Sequence, residues 1–464
     1  MPPVHILNQK KYLLMSIMTL AMTVLILCVS LSPVDAQQTE AFALGADISW
    51  IQQRENNGVR YYHNNNSVDP FEVLRDHGFN YIRLRLFVDP TASVPGEPES
   101  PYSSTNAASA SGSADALKPY CGLDSTIKMA KRVKAAGMKF LLDFHYSDTW
   151  TDPAKQHIPM SWRSLATISQ LTAKVREYTR ESLEKFKDEG VLPDMVQIGN
   201  ENVSGMLWPI GRNYISGGQG GRANFAALIN AGIDGVKDVS GDIKIMAHTI
   251  NERDPNGWLS NLITDGVSRI NVLGLSYYSE WHGTPDSLER VANAFAANSR
   301  FNGIKFCVVE YADNHRRVND IVYGMPADKR FGTFVWEPFD WREVLFDWKS
   351  GANSGRHSNQ RLQLYPQMAD DYGINTSTAV KNDYVKARER VDFHINKNGI
   401  INYYSNTPGA AAIYTLQGRI AGRFVMGTPG VYDPSLLLKN PPRSGAYILA
   451  VDPVKSRTVI TITR

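Results

Sequence analysis

Cysteine is scarce in this sequence. Only three occur among 464 residues, at positions 28, 121 and 307. A disulfide framework of the kind that holds small secreted domains together is therefore excluded, and a hydrophobic core must stabilise the fold. Cys307 lies in the apolar run 306–309, where a buried and unreactive thiol is expected. The sequence leaves open whether Cys307 meets Cys121.

A large charge of either sign is also missing. Lys and Arg total 49 and Asp and Glu total 46, which leaves a formal net charge of +3. Nucleic-acid-binding proteins usually carry a clustered basic face, and this sequence has no Lys/Arg cluster beyond Lys10 and Lys11. The composition therefore argues against a nucleic-acid partner.

Motifs for cofactors and catalytic metals are absent as well. There is no Gly-x-Gly-x-x-Gly and no Walker loop, so a nucleotide cofactor is not expected. There is no His-x-His, the pair that metallohydrolases usually bring near the first strand. We therefore expect that no cofactor is required, and we interpret His145 and His248 as hydrogen-bonding groups.

The N-terminus carries a targeting pattern. Lys10 and Lys11 precede an apolar run over residues 12–31, and a Val-x-Ala sequence follows that ends at Ala36. Together these features predict a secretory signal peptide over residues 1–36, cleaved after Ala36. The alternative is an uncleaved anchor, because about 20 apolar residues can span a bilayer. Both interpretations predict a secreted or cell-surface protein.

The central part of the chain alternates short apolar runs with longer segments of helical period. Segments such as 123–136 and 165–187 are long enough for crossover helices. Eight such units predict an α/β fold, a (β/α)8 TIM barrel over residues 41–392, with a doubly wound open sheet as the alternative. The eight candidate strands are residues 44–48, 81–87, 140–145, 195–199, 243–247, 272–277, 306–309 and 333–336.

Two stretches depart from this alternation. Residues 91–120 are rich in Pro, Ser, Ala and Gly, and they predict a long loop over the face where the barrel strands end. Residues 399–464 contain short candidate strands separated by turns, and they predict a small all-β module at the C-terminus.

Two arginines stand on the second candidate strand. Strand alternation puts Arg83 and Arg85 on one side and the intervening aliphatic residues on the other, so both arginines are expected to point into the barrel. A guanidinium buried there must be paired, and the candidate partners are Asp47, Asp143 and Glu310. An arginine beside Glu310 would hold that carboxylate ionised. We expect Arg83 to serve the active site, whereas for Arg85 a purely structural ion network is an equal alternative.

Two glutamates end the fourth and seventh candidate strands. Glu201 follows an apolar strand and Asn200, and Glu310 ends the run Phe-Cys-Val-Val-Glu. The carboxyl ends of barrel strands meet at one face, so both glutamates are expected to face one cleft. Glycoside hydrolysis requires such a pair, and retaining enzymes hold the two carboxyl groups about 5–5.5 Å apart. We assign Glu201 as the acid/base and Glu310 as the nucleophile.

Aromatic residues crowd the predicted strand ends. Sugar rings stack their apolar faces on such side chains while their hydroxyls need polar partners. Trp336 is the foremost candidate, because it ends the eighth strand beside Glu337. The other candidates are Trp150, Trp162, Trp208, Tyr277, Tyr278, Trp281, Trp341 and Trp348.

Several of these segments occur together in one known family. They include Gly45-Ala-Asp-Ile-Ser, Asn80-Tyr-Ile-Arg-Leu-Arg-Leu, His145-Tyr-Ser-Asp-Thr-Trp, Gly205-Met-Leu-Trp-Pro, Trp281-His-Gly-Thr and Phe334-Val-Trp-Glu-Pro. In these segments the chain resembles the endo-β-1,4-galactanases of glycoside hydrolase family 53, within a clan of retaining (β/α)8 glycosidases. The likeness extends over about residues 45–338, and the His-Tyr-Ser-Asp-x-Trp and Gly-Met-Leu-Trp-Pro segments are its most specific parts.

The resemblance implies endo-acting cleavage of β-1,4-galactosidic bonds in pectic galactan or type I arabinogalactan, with retention of configuration. It also implies that Asn200 binds the sugar 2-hydroxyl and that Arg83 supports the nucleophile. Some bacterial members bind structural calcium in the eighth loop, but residues 340–363 show no match to those ligands. Substrate contacts are implied for Asp47, His145, Asp148, Trp150, Trp208, His248, Tyr277 and Trp336.

The sequence departs from the family pattern at two places. Ser279 and Glu280 stand where the family usually has Pro and an aromatic residue, which is expected to alter a distal subsite. Glu310 is followed by Tyr-Ala-Asp rather than the usual Thr or Asn. Two alternatives stay open, namely another retaining activity such as mannanase or cellulase, and a non-catalytic glycan-binding surface protein. The presence of both glutamates argues against the second.

The C-terminal region resembles the sorting modules of the type IX secretion system. The resemblance rests on Ala412-Ile-Tyr-Thr-Leu-Gln-Gly-Arg, on Gly445-Ala-Tyr-Ile-Leu-Ala-Val and on a basic final strand. It implies the secretion machinery as a partner. A small carbohydrate-binding or purely structural β module is the alternative.

Overall fold

The computed structural model describes residues 41–91, 120–252, 254–351 and 353–374, together with seven strands between residues 393 and 462. The described residues fall into two compact units. The first comprises residues 41–56, 81–91, 120–131 and 139–343, and the second comprises the remainder. The expected signal peptide and nearly all of the 91–120 loop lie outside the described residues, so both stay predictions.

The first unit contains a closed barrel of eight parallel strands. Around the ring the order is β1-β12-β11-β10-β9-β6-β5-β4, and the ring closes because β1 pairs with both β12 and β4. The predicted (β/α)8 barrel is thus confirmed. Its strands are β1 (Ala43–Asp47), β4 (Tyr81–Leu86), β5 (Lys139–Phe144), β6 (Met195–Ile198), β9 (Lys244–Ile250), β10 (Val272–Ser276), β11 (Lys305–Tyr311) and β12 (Arg330–Trp336).

Helices connect the strands. The longest, α4, buries Leu171, Val175 and Phe186 along one face, and Thr167 and Gln170 cap its first turn reciprocally. Gly137 ends another connection with φ +75°, a backbone conformation that favours glycine. The helices are α1 (Ile51–Asn56), α2 (Pro70–Asp76), α3 (Leu123–Ala135), α4 (Ile168–Asp188), α5 (Arg222–Val239), α6 (Pro255–Thr264), α7 (Ser279–His282), α8 (Pro285–Ala297), α9 (His315–Tyr323) and α10 (Leu364–Asp371). None of the helices in the described part of the chain is long and apolar enough to cross a membrane.

Outside the C-terminal region, the described part of the second unit contains four short strands, the helices α2 and α10, and the end of α3. Four of its strands form one sheet in the order β13-β14-β2-β3, and these are β2 (Tyr61–His63), β3 (Asn66–Ser67), β13 (Phe346–Lys349) and β14 (Gly355–Ser358). Two further short strands, β7 (Ile215–Ser216) and β8 (Gln219–Gly220), form a hairpin in the first unit.

The described residues of the C-terminal region all lie in β-strands, as predicted. Its strands pair antiparallel in a three-stranded sheet, β15-β16-β19, and a four-stranded sheet, β18-β17-β20-β21. No finding tests the predicted boundaries at residues 392 and 399. The strands are β15 (Phe393–Ile395), β16 (Ile401–Tyr403), β17 (Gly409–Thr415), β18 (Ile420–Met426), β19 (Gly430–Tyr432), β20 (Gly445–Asp452) and β21 (Ser456–Ile462).

Apolar side chains fill one layer of the barrel interior. A buried cluster that includes Leu141, Met246 and Phe334 takes residues from all eight strands. Gly45 makes room for the Phe334 ring, because a Cβ atom at Gly45 would lie 2.3 Å from it. Cys307 belongs to this cluster, and both it and Cys121 are buried free thiols. This apolar layer is therefore closely packed, and the polar side chains of the barrel interior lie outside the layer.

Candidate active site

A cavity of about 470 Å³ opens beside the residues that end the barrel strands. Its volume falls within the range of about 300–1,000 Å³ that is usual for ligand sites. Both predicted catalytic glutamates line it. The lining residues nearest the strand ends are Arg85, His145, Asn200, Glu201, Tyr278, Glu310 and Trp336, and loop residues such as Trp150, Trp281, His282 and Trp341 complete it.

Arg83 lies beneath this cavity and is fully buried. A guanidinium has five N–H groups, and five side-chain oxygens surround this one within 3.2 Å. Nη1 faces Asp47 at 2.9 Å and Glu310 at 2.8 Å, and Nη2 faces Asp143 at 2.8 Å. Nη2 also donates to Asn200 Oδ1 at 3.0 Å, and Nε donates to the Gln197 side-chain oxygen at 3.2 Å. We call these six residues the Arg83 network.

The Arg83 network explains how so many charges are tolerated inside the barrel. Burial disfavours the charged form of Asp143, but Arg83 and His145 outweigh it and hold the pKa of Asp143 below its usual value. Burial works against the charge on Arg83 too, and the surrounding carboxylates nevertheless raise its pKa. Each partner is paired or hydrogen-bonded, which is the condition for burying ions.

Glu310 is held at both carboxylate oxygens. Oε1 pairs with Arg83, and Oε2 accepts a hydrogen bond of 2.8 Å from the Tyr278 hydroxyl. Burial and the nearby charge of Glu310 raise the pKa of Tyr278 well above its usual value, so the phenol keeps its proton and remains a donor. The two donors fix the orientation of the carboxylate, which suits a nucleophile.

Glu201 lies in a different electrostatic environment. Burial in the cavity and the charge of Glu310 together raise the pKa of Glu201 to about 8. The Glu201 backbone has φ +47°, and its N–H donates to His248 Nδ1 at 3.2 Å. A carboxyl group with such a pKa carries a proton at neutral pH and can donate it.

His248 is a buried support for the backbone of Glu201. Its Nδ1 accepts from Glu201 and from the Gln197 side chain at 2.9 Å, and its Nε2 lies 3.0 Å from Ser276 Oγ. Burial and Arg83 lower the pKa of His248 well below its usual value. The ring is thus neutral, with its hydrogen on Nε2, where Ser276 Oγ accepts it.

Arg85 forms a second buried ion cluster next to the first. It pairs with Asp47 at 3.1 Å and with Glu337, and its guanidinium lies over the ring of Trp150 at 4.5 Å and that of Trp336 at 5.6 Å. Because Arg85 also lines the cavity, it joins the structural ion network to the aromatic wall. Arg85 thus lies both in a buried ion cluster and at the cavity, where each of its two predicted roles is possible in position.

The amino-acid sequence also matches the profile of a known protein family. Residues 43–320 match the profile of glycosyl hydrolase family 53. The chain belongs to this family. The match includes eleven of the twelve predicted site residues, and Trp336 lies beyond it.

Several relatives in family 53 are named as galactanases. An arabinogalactan endo-beta-1,4-galactanase from Cellvibrio japonicus is 31% identical over 55% of this chain and 63% of its own length. An endo-beta-1,4-galactanase from Bacillus subtilis is 33% identical over 55% of this chain and 53% of its own length. The chain thus spans between about half and two thirds of these curated relatives. The solved family 53 catalytic domain of Ignisphaera aggregans is 28% identical, with a TM-score of 0.58, and the match covers 72% of this chain and 97% of that domain.

Nine of the twelve predicted site residues lie in or directly beneath the cavity. Six line it, namely His145, Trp150, Asn200, Glu201, Glu310 and Trp336. Three more, Asp47, Arg83 and His248, lie beneath it and contact the lining residues Arg85, Glu310 and Glu201. The structure thus brings together most of the residues that lie on or directly after the predicted strands, together with the loop residue Trp150.

Three predicted residues lie elsewhere. Asp148 accepts backbone N–H groups of Asp89 and Met160, at 3.0 and 2.7 Å, and so ties two loops together. Trp208 donates to the Ser204 carbonyl at 3.1 Å. Tyr277 donates to the Gly283 carbonyl at 2.8 Å. None of the three lines the cavity, and their observed contacts are structural.

Sequence reasoning named Tyr278 only as one of several aromatic candidates, without a role beside Glu310, and it missed Gln197. Ser276 points inward to His248, so Tyr277 points away and Tyr278 returns to the cavity. Alternation along β6 also puts Gln197 inside the barrel. A polar glutamine within an apolar strand was the signal that would have identified it.

The two departures from the family pattern contact each other. Ser279 donates from its N–H and its hydroxyl to Asp313 Oδ2, at 3.3 and 2.7 Å. Glu280 forms an ion pair with Arg342. These contacts hold the short helix α7, which carries Trp281.

Within the described residues, no group of three or more His, Cys, Asp or Glu side chains is arranged to hold a metal ion.

Proposed function

We propose that this chain is an endo-acting β-1,4-galactanase that cleaves pectic galactan with retention of anomeric configuration. The observation that carries the proposal is the contrast between two glutamates in one cavity. Arg83 and Tyr278 hold Glu310 as an oriented carboxylate, while burial and the charge of Glu310 raise the pKa of Glu201 to about 8. A retaining glycosidase needs one protonated carboxyl group as the acid and one ionised carboxylate as the nucleophile. Different electrostatic environments around the two glutamates provide this.

In the first step, the Glu310 carboxylate attacks the anomeric carbon while Glu201 gives its proton to the departing glycosidic oxygen. This forms a covalent ester between Glu310 and the sugar and releases the leaving chain. The ester carries no charge, so the pKa of Glu201 falls. Glu201 then takes a proton from a water molecule, and that water attacks the same carbon from the side the leaving group vacated. The attack breaks the ester bond, so that Glu310 is restored as a carboxylate and the sugar is released with its original configuration.

The substrate class rests on the relatives in family 53, whose names specify β-1,4-galactan or arabinogalactan. The cavity composition is consistent with a neutral polysaccharide. Trp150, Trp336 and Trp341 offer apolar faces for sugar rings, and Asn200 and His145 offer polar groups among them.

The test is product analysis with purified potato or lupin galactan. Mixed galacto-oligosaccharides released early support endo cleavage, and proton NMR in the first minutes is expected to show the β-anomer accumulating before mutarotation. Glu310→Gln is expected to lose turnover but to keep substrate binding, as measured by calorimetry. Hydrolysis of mannan or cellulose with galactan untouched, or initial release of the α-anomer, would contradict the proposal.

We also propose that the protein is exported and reaches the cell surface or medium. Two features support this proposal. Residues 1–36 combine basic residues, an apolar run and a small-residue ending, and the C-terminal strands resemble sorting modules. Mass spectrometry of the protein from culture medium or cell surface is expected to find Gln37 at the mature N-terminus. Recovery only from the cytoplasm, with residues 1–36 intact, would contradict it.

A further inference from the structure

Ser276 is a buried hydroxyl between His248 and Glu201. It is the last residue of β10 and its exposed fraction is 0%. Its Oγ lies 3.0 Å from His248 Nε2. It also forms a hydrogen bond with the Glu201 side chain. Ser276 therefore connects a neutral histidine to the glutamate proposed as the acid/base.

The direction of each hydrogen bond in this chain of groups is determined. His248 Nδ1 accepts the backbone N–H of Glu201 at 3.2 Å and the amide of Gln197 at 2.9 Å. The hydrogen of the neutral ring is therefore on Nε2, and the Ser276 oxygen accepts it. A serine hydroxyl has one hydrogen of its own. Because His248 already acts as the donor in the other contact, that hydrogen is directed to Glu201.

An irregularity between β10 and β11 brings Ser276 beside the second glutamate. Leu275 pairs with Val308, but Ser276 pairs with Glu310, so β11 has one extra residue at this point. That residue is Val309, which belongs to the buried apolar layer of the barrel. Regular alternation would turn Glu310 away from the interior, and the extra residue returns it to the cavity. Ser276 and Glu310 thus stand next to each other at the floor of the site.

The charges around Glu201 make the serine hydrogen bond important. Burial, the charge of Glu310 and that of Asp152 disfavour the ionised form of Glu201, whereas Ser276 and Arg83 favour it and so lower its pKa. Arg83 is shared among five oxygens, so Ser276 is the donor directed at Glu201 itself. The other titratable side chains that line the cavity are Arg85, His145, Lys155, Glu252, Tyr278 and His282.

The two chemical steps make opposite demands on Glu201. It must carry a proton when the glycosidic bond breaks, and it must be an ionised base when water attacks the ester. A hydrogen bond to a charged acceptor is stronger than one to a neutral acceptor. The Ser276 hydroxyl therefore acts on Glu201 most strongly in the second step, when Glu201 is a carboxylate and Glu310 is an uncharged ester.

We propose that Ser276 is a positioning residue for Glu201, whose hydroxyl is oriented by His248 and stabilises the carboxylate that serves as the base in the second step. The serine keeps its own proton throughout, and it forms no bond to the substrate. The inference rests on the proposed function, because it takes Glu201 to be the acid/base of a retaining mechanism.

Ser276→Ala tests this inference through two pH profiles. Loss of the donor favours the protonated form of Glu201, so its pKa rises. On galactan, the alkaline limb of kcat/KM is expected to move upward by about half a unit to one unit. On a dinitrophenyl β-1,4-galactobioside the leaving group needs no acid, so kcat reports the second step. There kcat is expected to fall about three- to tenfold on the acidic limb, because the ionised fraction of Glu201 decreases by that factor.

Azide provides a readout that does not depend on the base. It attacks the ester without losing a proton, so Ser276→Ala with azide is expected to reach the rate that the parent reaches with azide. A rate that azide leaves low would show a general defect of the site and would overturn the inference. If Ser276→Ala does not fold, Ser276→Cys decides, since a thiol is a weak donor and is expected to shift both limbs in the same direction.

Ser182→Ala is the matched control. Ser182 is a buried serine of helix α4 that forms a hydrogen bond with Tyr178, and it does not line the cavity. It is expected to leave both pH profiles in place. Unmoved limbs in Ser276→Ala, movement toward lower pH, or an equal shift in Ser182→Ala would each overturn the inference. Failure of the proposed function is seen in the parent instead, as an inability to cleave galactan or as release of the α-anomer.

Discussion

Arg83 Nη1 lies 2.8 Å from Glu310 Oε1. Both residues belong to the barrel interior, yet Arg83 is fully buried whereas the Glu310 side chain remains 9% exposed to the cavity. The arginine thus reaches the nucleophile from below and leaves its upper side open for substrate. Because Arg83 also pairs with Asp47 and Asp143, the position of Glu310 depends on the whole network.

Arg83→Lys is expected to lower both activity and stability. An ammonium has three donors and cannot serve the five oxygens around Arg83. We expect kcat to fall at least about a hundredfold and the free energy of unfolding to fall by roughly 2–5 kcal/mol. The measurements are steady-state kinetics and denaturant unfolding. Arg176→Lys is the control, since Arg176 pairs with Asp238 at the exposed surface and is expected to leave both quantities unchanged. An active, stable Arg83→Lys would refute the role of the network.

Tyr278→Phe and Tyr277→Phe form a matched pair. The first removes the hydrogen bond to Glu310 and is expected to lower kcat about tenfold to a hundredfold, because hydrogen bonds to charged groups are the stronger ones. The second removes only the bond to the Gly283 carbonyl and is expected to lower the melting temperature while keeping kcat. Kinetics and melting of both variants check this. A loss of kcat in Tyr277→Phe but not in Tyr278→Phe would contradict the roles described for the two tyrosines.

The pH profile of kcat/KM is expected to fall on its alkaline side near pH 8. Glu201 must carry a proton to act as the acid, and its pKa is about 8 while Glu310 is charged. Activity is therefore present below this value and lost as the pH rises through it. Initial rates at low substrate between pH 4 and 10 measure the curve. An alkaline limb near about pH 5, close to an ordinary glutamate, would contradict the environment described for Glu201.

Glu201→Gln is expected to stabilise the fold at alkaline pH. The folded-state pKa of Glu201 lies above its unfolded value, so its contribution is fully present below the unfolded pKa and is lost as the pH rises through about 8. Glutamine carries no charge at any pH. The variant should therefore melt at a higher temperature than the parent at pH 9, with the difference shrinking toward pH 4. Glu181→Gln, on the exposed face of α4, serves as the control and should show no such trend; a constant difference across pH would contradict the prediction.

Predictions based on strand position held well. All eight barrel strands were located, and the inward direction of Arg83 and Arg85 followed from alternation with aliphatic residues. Strand period is a local property, so it can be read from neighbouring residues. Strand-end position likewise brought Glu201 and Glu310 to one cavity, because the carboxyl ends of parallel strands share one face.

The positions of loop residues were harder to predict from the sequence. Trp208 donates to a carbonyl of its own loop, and Asp148 accepts backbone N–H groups from two loops. Neither residue lines the cavity, and their substrate contacts stay predictions. Tyr277 and Tyr278 are adjacent, and only the direction of the chain after β10 decides which one faces Glu310. Loop conformation depends on distant contacts, such as that of Ser279 with Asp313, and no local period encodes them.

The sequence by itself determined the barrel, the inward arginines and the two strand-end glutamates, since each depends on spacing along a single strand or on the shared polarity of parallel strands. Only the tertiary structure decided that five oxygens converge on Arg83, that the charge of Glu310 acts on Glu201, and that Trp281 lines the same cavity as the two glutamates. Those relationships join residues far apart in the chain. They arise when the ring closes and brings the separate strands and their loops within a few ångströms of one another.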